Sequence, residues 1–181
     1  MRLRKLLKNK YIIVGFGVFL ASCGQNDFNY GKVHNIMEGT PVNLDGEYVT
    51  LTPQLVDCGV EYDLWEAPFD TGSREHKVAR LKQAGRDLKF GDDVSIGDMG
   101  RPYVQIRGEF NLNALDITSD KDGPEPNTRL VTAKVGVTIN HRCFPEPLLL
   151  EGVRHGNFVQ DQWPVFLFRF NNGWTMDRIV H

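Results

Sequence analysis

The strongest constraint on this chain is the run from Leu130 to Ile139, in which every second side chain is apolar. Val131, Ala133, Val135, Val137 and Ile139 alternate with Leu130, Thr132, Lys134, Gly136 and Thr138. A strand sends successive side chains to opposite faces, so this pattern suits a half-buried strand. The same period recurs. Val104, Ile106, Gly108 and Phe110 oppose Tyr103, Gln105, Arg107 and Glu109, and Glu47 to Leu51 is a shorter example. Val56, Cys58, Val60, Tyr62 and Leu64 oppose Asp57, Glu61 and Asp63, which predicts a strand with Cys58 facing the core. Asp93 to Ile96 reads as a further strand or turn. Near the end, Val165–Phe170 and Trp174–Ile179 flank Asn171-Asn172-Gly173. Asn-Gly accommodates the positive φ angles of a type I′ turn. A hairpin turning on Asn172-Gly173 is therefore predicted, with Trp174 facing Asn171 and Phe166, Phe168 and Phe170 on one core face.

One stretch reads as helical. Ser73 to Ala84 has Ser73 as N-cap, Gly85 as stop and only Val78, Leu81 and Ala84 as an apolar side, so it predicts a short surface helix. Strands separated by turn signals, with one helix, predict a mainly β domain: an antiparallel sandwich or small barrel. Strands do not alternate with helices of about 10–15 residues, which argues against a parallel α/β fold.

The amino end has a different character. Arg2, Arg4, Lys5, Lys8 and Lys10 precede an apolar run from Tyr11 to Ala21. That run is shorter than the roughly 20 residues a spanning helix needs. A basic start, a short apolar stretch and a small-residue exit form the pattern of a secretory signal. The exit reads Leu20-Ala21-Ser22-Cys23. It resembles the lipobox of bacterial lipoprotein precursors, in which a Leu and two small residues precede an invariant Cys. The resemblance implies a diacylglyceryl group on Cys23, cleavage before it and acylation of the new amino end. Each buried methylene adds about 0.8 kcal/mol, so several acyl chains make a stable anchor. Gly24 follows the cysteine, where Asp favours inner-membrane retention in enteric lipoproteins. The resemblance thus implies an outer-membrane protein facing the periplasm. The expected organisation is a signal peptide over 1–22, a lipidated cysteine and flexible tether over 23–40, and one β-rich periplasmic domain over 41–181. Gly24 to Asn35, polar and without period, is the basis for the tether.

Cleavage changes the charge. The whole chain carries a formal −2, whereas residues 23–181 hold 16 basic against 23 acidic side chains, a formal −7. Nucleic-acid binding needs a basic face, so that class is disfavoured. The cysteines divide as well. With Cys23 acylated, Cys58 and Cys143 remain, and an oxidising compartment favours a disulfide between them. Two alternatives stand beside it. His141 lies two positions from Cys143 and would share a strand face with it, which makes half of a metal or reactive-thiol site. No CxxC or HxxxH supplies the other half. Two free, buried thiols are the remaining reading.

No GxSxG, HExxH, Walker or dinucleotide motif occurs in residues 23–181, so no catalytic, cofactor or metal residues are assigned. A calcium loop centred on Gly123 would begin at Thr118 and end at Arg129, and it fails at both ends. His76, His155 and His181 read as surface histidines, and Ser95 and Ser119 have no neighbouring His. Asp92-Asp93 marks a turn. Asn113 to Asn127 reads as a long acidic loop whose Asp116, Asp120, Asp122 and Glu125 are either solvated or a recognition surface for a basic partner. Trp65 falls on the polar side of its alternation. It is either an exposed partner anchor or covered by another layer. The expected function is a non-enzymatic protein-binding lipoprotein, of the immunity or inhibitor type or an accessory subunit of an envelope machine. One alternative is a β barrel holding an apolar ligand or lipid against Val135, Val137, Phe166 and Phe168. The other is an envelope hydrolase without a local motif.

Overall fold

The alternating run becomes a strand of the ten-stranded sheet that is paired along both edges. The computed structural model describes residues 28–72, 76–97, 101–154, 157–159 and 161–180. In chain order the elements are α1 (Tyr30–Gly39), β1 (Val42–Asn43), β2 (Tyr48–Thr50), α2 (Pro53–Glu61), β3 (Phe69–Asp70), β4 (His76–Ala79), α3 (Gln83–Asp87), β5 (Val94–Gly97), β6 (Tyr103–Gln105), β7 (Glu109–Phe110), β8 (Leu112–Asp122), β9 (Thr128–Val137), β10 (Leu148–Glu151), β11 (Val153–Arg154), β12 (Asn157–Phe158), β13 (Val165–Phe170) and β14 (Trp174–Val180). The fold is mainly β and antiparallel, without a closed barrel, which fits a sandwich. None of the described helices is long and apolar enough to cross a membrane.

Strand β9 is shared. One of its edges pairs with β8 along nearly its whole length. Its other edge pairs with β13 through Thr128–Thr132 and with β10 through Val135–Val137. Two strands following one another along a single edge must diverge. The β13–β14 hairpin leaves in one direction, and the series β10-β2-β6-β5-β4-β3 leaves in the other. Val131, Ala133, Val135, Val137 and Ile139 are all buried, as their period requires. Gly108 sits between β6 and β7 at φ 92°, a left-handed conformation that glycine adopts without a Cβ clash. It breaks the Val104–Phe110 alternation into two short strands while leaving Val104, Ile106 and Phe110 buried.

Several expectations are corrected. Residues 53–61 form a helix rather than a strand. Thr52 caps it, its side chain accepting from Leu55 N, and Pro53 occupies the first turn, where a missing N–H costs nothing. Val56 and Val60 are four apart and therefore also share a helical face. Cys58 is half-buried on this helix. Residues 76–79 of the expected surface helix are strand β4, paired with β3 and β5, and helix begins only at Gln83. Ser73, its expected cap, lies outside the described residues. Gly85, the expected stop, is inside α3, where a Cβ would press on Leu64 O.

Residues 28–40, expected as part of a tether, belong to the folded domain. Asn29 caps α1 by accepting from Lys32 N at 3.0 Å. Val33 and Met37, one helical turn apart, are fully buried, and Phe28 packs edge-on against Phe168 and Trp174. The ordered domain therefore includes residues 28–40. The acidic stretch 113–127 is not a long loop. Residues up to Asp122 continue β8, because β9 offers a full ladder of backbone partners. At the final hairpin Phe170, not Asn171, faces Trp174, so the loop is the three residues Asn171–Gly173, with Asn172 at φ 61°.

Candidate functional site

Two surfaces carry the polar and apolar features from which binding chemistry can be built. The first is the tip of the β8–β9 hairpin. Asn127 turns the chain at φ 59°, and the Thr128 hydroxyl donates to Glu125 O at 2.6 Å. This fixes the acidic residues opposite two arginines. Arg129 Nε and Nη2 donate to the two oxygens of Asp120 at 2.9 and 2.8 Å, and Nη1 donates to Asp122 at 2.7 Å. Arg169, from β13, donates to Glu125 at 2.8 Å and lies 3.7 Å from Asp177. The hydrogen bond to Asp120 and the surrounding carboxylate charges hold the Arg129 guanidinium charged, its pKa raised above the ordinary value. Asp120 and Asp122 therefore share Arg129, Glu125 and Asp177 share Arg169, and Asp116 lies exposed further back along β8. The hairpin is a fixed network, much less anionic than its composition suggests.

The second surface is a groove of about 410 Å³ between the β2–α2 corner and the segment from Phe144 to Leu149. Leu51, Leu55, Phe144, Pro147 and Leu149 form its apolar walls, and Arg101 stands at its rim. The Cys58–Cys143 disulfide ties α2 to the chain entering that segment, with Cα atoms 5.7 Å apart. This bond settles the cysteine alternatives: Cys143 is neither a free thiol nor a metal ligand. His141 Nδ1 accepts the Cys143 N–H at 3.2 Å, and its ring packs against Tyr62 and Phe144, so it is committed to the local structure.

Trp65 lies beneath this region. It is fully buried and not available to a partner, which corrects its reading as a partner-binding residue. The alternation that put it on a polar face assumed a strand. After the α2 helix the chain instead turns the indole inward, where Nε1 donates to Val56 O at 2.7 Å and the ring packs against Phe90 and Phe144. Gly59 makes room for it, since a Cβ there would overlap the indole.

Behind Arg101 is a buried carboxyl that the sequence reading missed. Glu151, at the end of β10, is fully buried. Its Oε2 accepts the Asp161 N–H at 2.6 Å, and Arg101 Nη1 lies 3.6 Å from Oε1. Arg101 Nη2 also reaches Asp161 at 3.4 Å. Burial pushes the Glu151 carboxyl above the ordinary carboxylate range, against the pull of the Asp161 N–H, the Arg101 charge and a Thr50 hydrogen bond. The only available signal was a charge closing the apolar run Leu148-Leu149-Leu150. A buried carboxyl of this kind can hold or release a proton, but here its partners are structural backbone and an ion pair.

Among the described residues, no group of three His, Cys, Asp or Glu side chains can hold a metal. His34 pairs with Glu38 at 3.4 Å on the exposed side of α1, while His155 and His181 lie outside the described residues. Val135, Val137, Phe166 and Phe168, expected to line an apolar cavity in the barrel alternative, are fully buried members of the packed core. Comparison of the chain with protein-family models, with curated proteins and with solved structures finds no match in any of the three.

Proposed function

We propose that this chain is a lipid-anchored lipoprotein of the bacterial outer membrane, facing the periplasm, and that it binds another protein without catalysing a reaction. Cys23 carries the acyl chains, and the folded domain begins a few residues later. An immunity or inhibitor protein, or an accessory subunit of an envelope machine, fits this combination. The observation that carries the binding reading is the apolar groove beside the disulfide. Half-buried Leu55 and Leu149 and exposed Pro147 line it above buried Leu51 and Phe144, and the disulfide joins α2 to the chain entering its far wall, which favours a preformed docking site over one assembled on binding. The formal −7 of residues 23–181 favours a basic partner, which it would steer into encounter. The arginine-paired hairpin carboxylates contribute less to that steering than their number implies, which leaves the exposed Asp116 as a contributor on β8.

The test is co-purification of the full chain from the envelope of its own host, beside Leu149→Asp in the groove. A partner retained by the parent chain and lost with Leu149→Asp supports the reading. No partner retained at micromolar concentration, or equal retention by both chains, removes it. Radiolabelled palmitate should enter the parent chain and not Cys23→Ser.

A further inference from the structure

We infer that the groove between α1 and β8 is the face this domain rests on the bilayer, with the Tyr30 ring and the Leu115 side chain in the headgroup–acyl boundary. The inference rests on the acylation of Cys23 proposed above. Tyr30 is 58% and Leu115 52% exposed, the two highest values among the described large hydrophobic side chains. Both line one groove of about 400 Å³, with Ala114 and Ile117 on its floor. Large apolar side chains are expected singly on a surface, and two gathered in one concavity mark a contact face.

The position of this groove selects its occupant. Tyr30 is the first residue of α1, and Phe28 is the first described residue. Five residues lead from Cys23 to Phe28, and at most about 3.6 Å per residue that is a reach of about 18 Å. Tyr30, two residues further on at the start of α1, therefore stays within about 25 Å of the acyl anchor, less than the roughly 30 Å thickness of a bilayer's hydrocarbon core. At such range the lipid surface is present at the high effective concentration of a tethered ligand. A weak apolar contact is then occupied continuously.

The chemistry suits a lipid interface. A tyrosine ring places an apolar body and a polar tip across the boundary where such rings concentrate. Leu115 adds apolar area on the neighbouring strand. The polar side chains lining the groove are His34 and Asp116, with Glu38 beside His34 and Lys134 opposite Asp116 on β9. The formal −7 over residues 23–181 disfavours anionic headgroups. The favoured surface is zwitterionic, of the phosphatidylethanolamine type, and the contact is apolar rather than electrostatic.

The experiment uses the full acylated chain in phosphatidylethanolamine–phosphatidylcholine vesicles, with and without bromine on the acyl chains. Leu115→Trp places an indole on the proposed face, and Tyr30→Trp is a second probe there should the first variant fold poorly. Phe69→Trp places one on β3, the far edge strand of the large sheet. The expected result is a blue shift and a several-fold larger bromine-dependent loss of emission at 115 or 30 than at 69. If the chain floats with the vesicles but the indole at 115 and 30 is not quenched, the proposed face is wrong and the anchor stands. Equal quenching at 69 also overturns it, as does shielding of Leu115 by a co-purifying protein in place of lipid. A chain that carries no acyl mass on Cys23 and does not float overturns the anchor and this face together.

Discussion

Around the Cys58–Cys143 bond, aromatic rings and a covalent link hold the chain from the inside. At the β8–β9 hairpin, arginines and carboxylates hold it from the surface. On the first side Trp65, Phe90 and Phe144 interlock, and His141 and Tyr62 continue the row with Arg142 over the Tyr62 ring at 4.6 Å. On the second, Arg129 and Arg169 bridge Asp120, Asp122, Glu125 and Asp177. The difference is one of solvent. Buried apolar contacts keep their full worth, and a cross-link limits the unfolded chain. Exposed ion pairs are screened and give back part of their energy as side-chain entropy. Stability is therefore concentrated on the disulfide side, while the hairpin's network sets geometry more than free energy.

Trp65→Ala should break the comparison most severely. It removes a fully buried indole and its hydrogen bond to the Val56 carbonyl, for a loss of about 3–5 kcal/mol in denaturant unfolding. A loss below about 1 kcal/mol would show that the neighbouring rings collapse into the space and that this side is not the stronger one. Reducing the disulfide comes next. Its 85-residue separation gives about 4–5 kcal/mol in the chain-entropy model, with about 2–4 typical of measured bonds. Melting with and without reductant at matched pH reads this out, and coincident curves would count against the bond's stabilising role. The smallest effects belong to the hairpin. Asp120, at 15% exposure, is the better-shielded partner of Arg129, and Asp120→Asn should cost about 1 kcal/mol. Asp122, at 91% exposure, should lose under about 0.5 kcal/mol as Asp122→Asn. Paired unfolding curves decide the ranking, and a larger loss at Asp122 would reverse it.

The elements legible in advance were those whose pattern has a single physical solution. The Val131–Ile139 alternation suits only a strand with one buried face, and β9 has that face. Val165–Phe170 and the turn residues after it specify a hairpin, and only the loop length differs. Where two periods fit, periodicity alone does not choose between strand and helix. Val56, Val60 and Leu64 satisfy both a two-residue and a near-helical spacing, and the decisive signal was the Thr52-Pro53 start. In the β8 segment, composition favoured a loop. Its charges line an edge strand, where polar side chains discourage pairing with another molecule, and β9 satisfies its backbone. Residues 28–39 look like tether until the Asn29 cap and the Val33/Met37 spacing are weighed together.

The sequence by itself determined the β class, the central strand and the closing hairpin, and it offered the Cys58–Cys143 disulfide as one of three readings that the structure decided. Each depends on spacing or counting within the chain. Only the tertiary structure decided that Trp65 is covered, that Glu151 is desolvated, that two arginines bridge the hairpin's carboxylates, and that Tyr30 and Leu115 line one groove. Periodicity reports the two faces of a segment, whereas burial and charge depend on what distant segments bring against them.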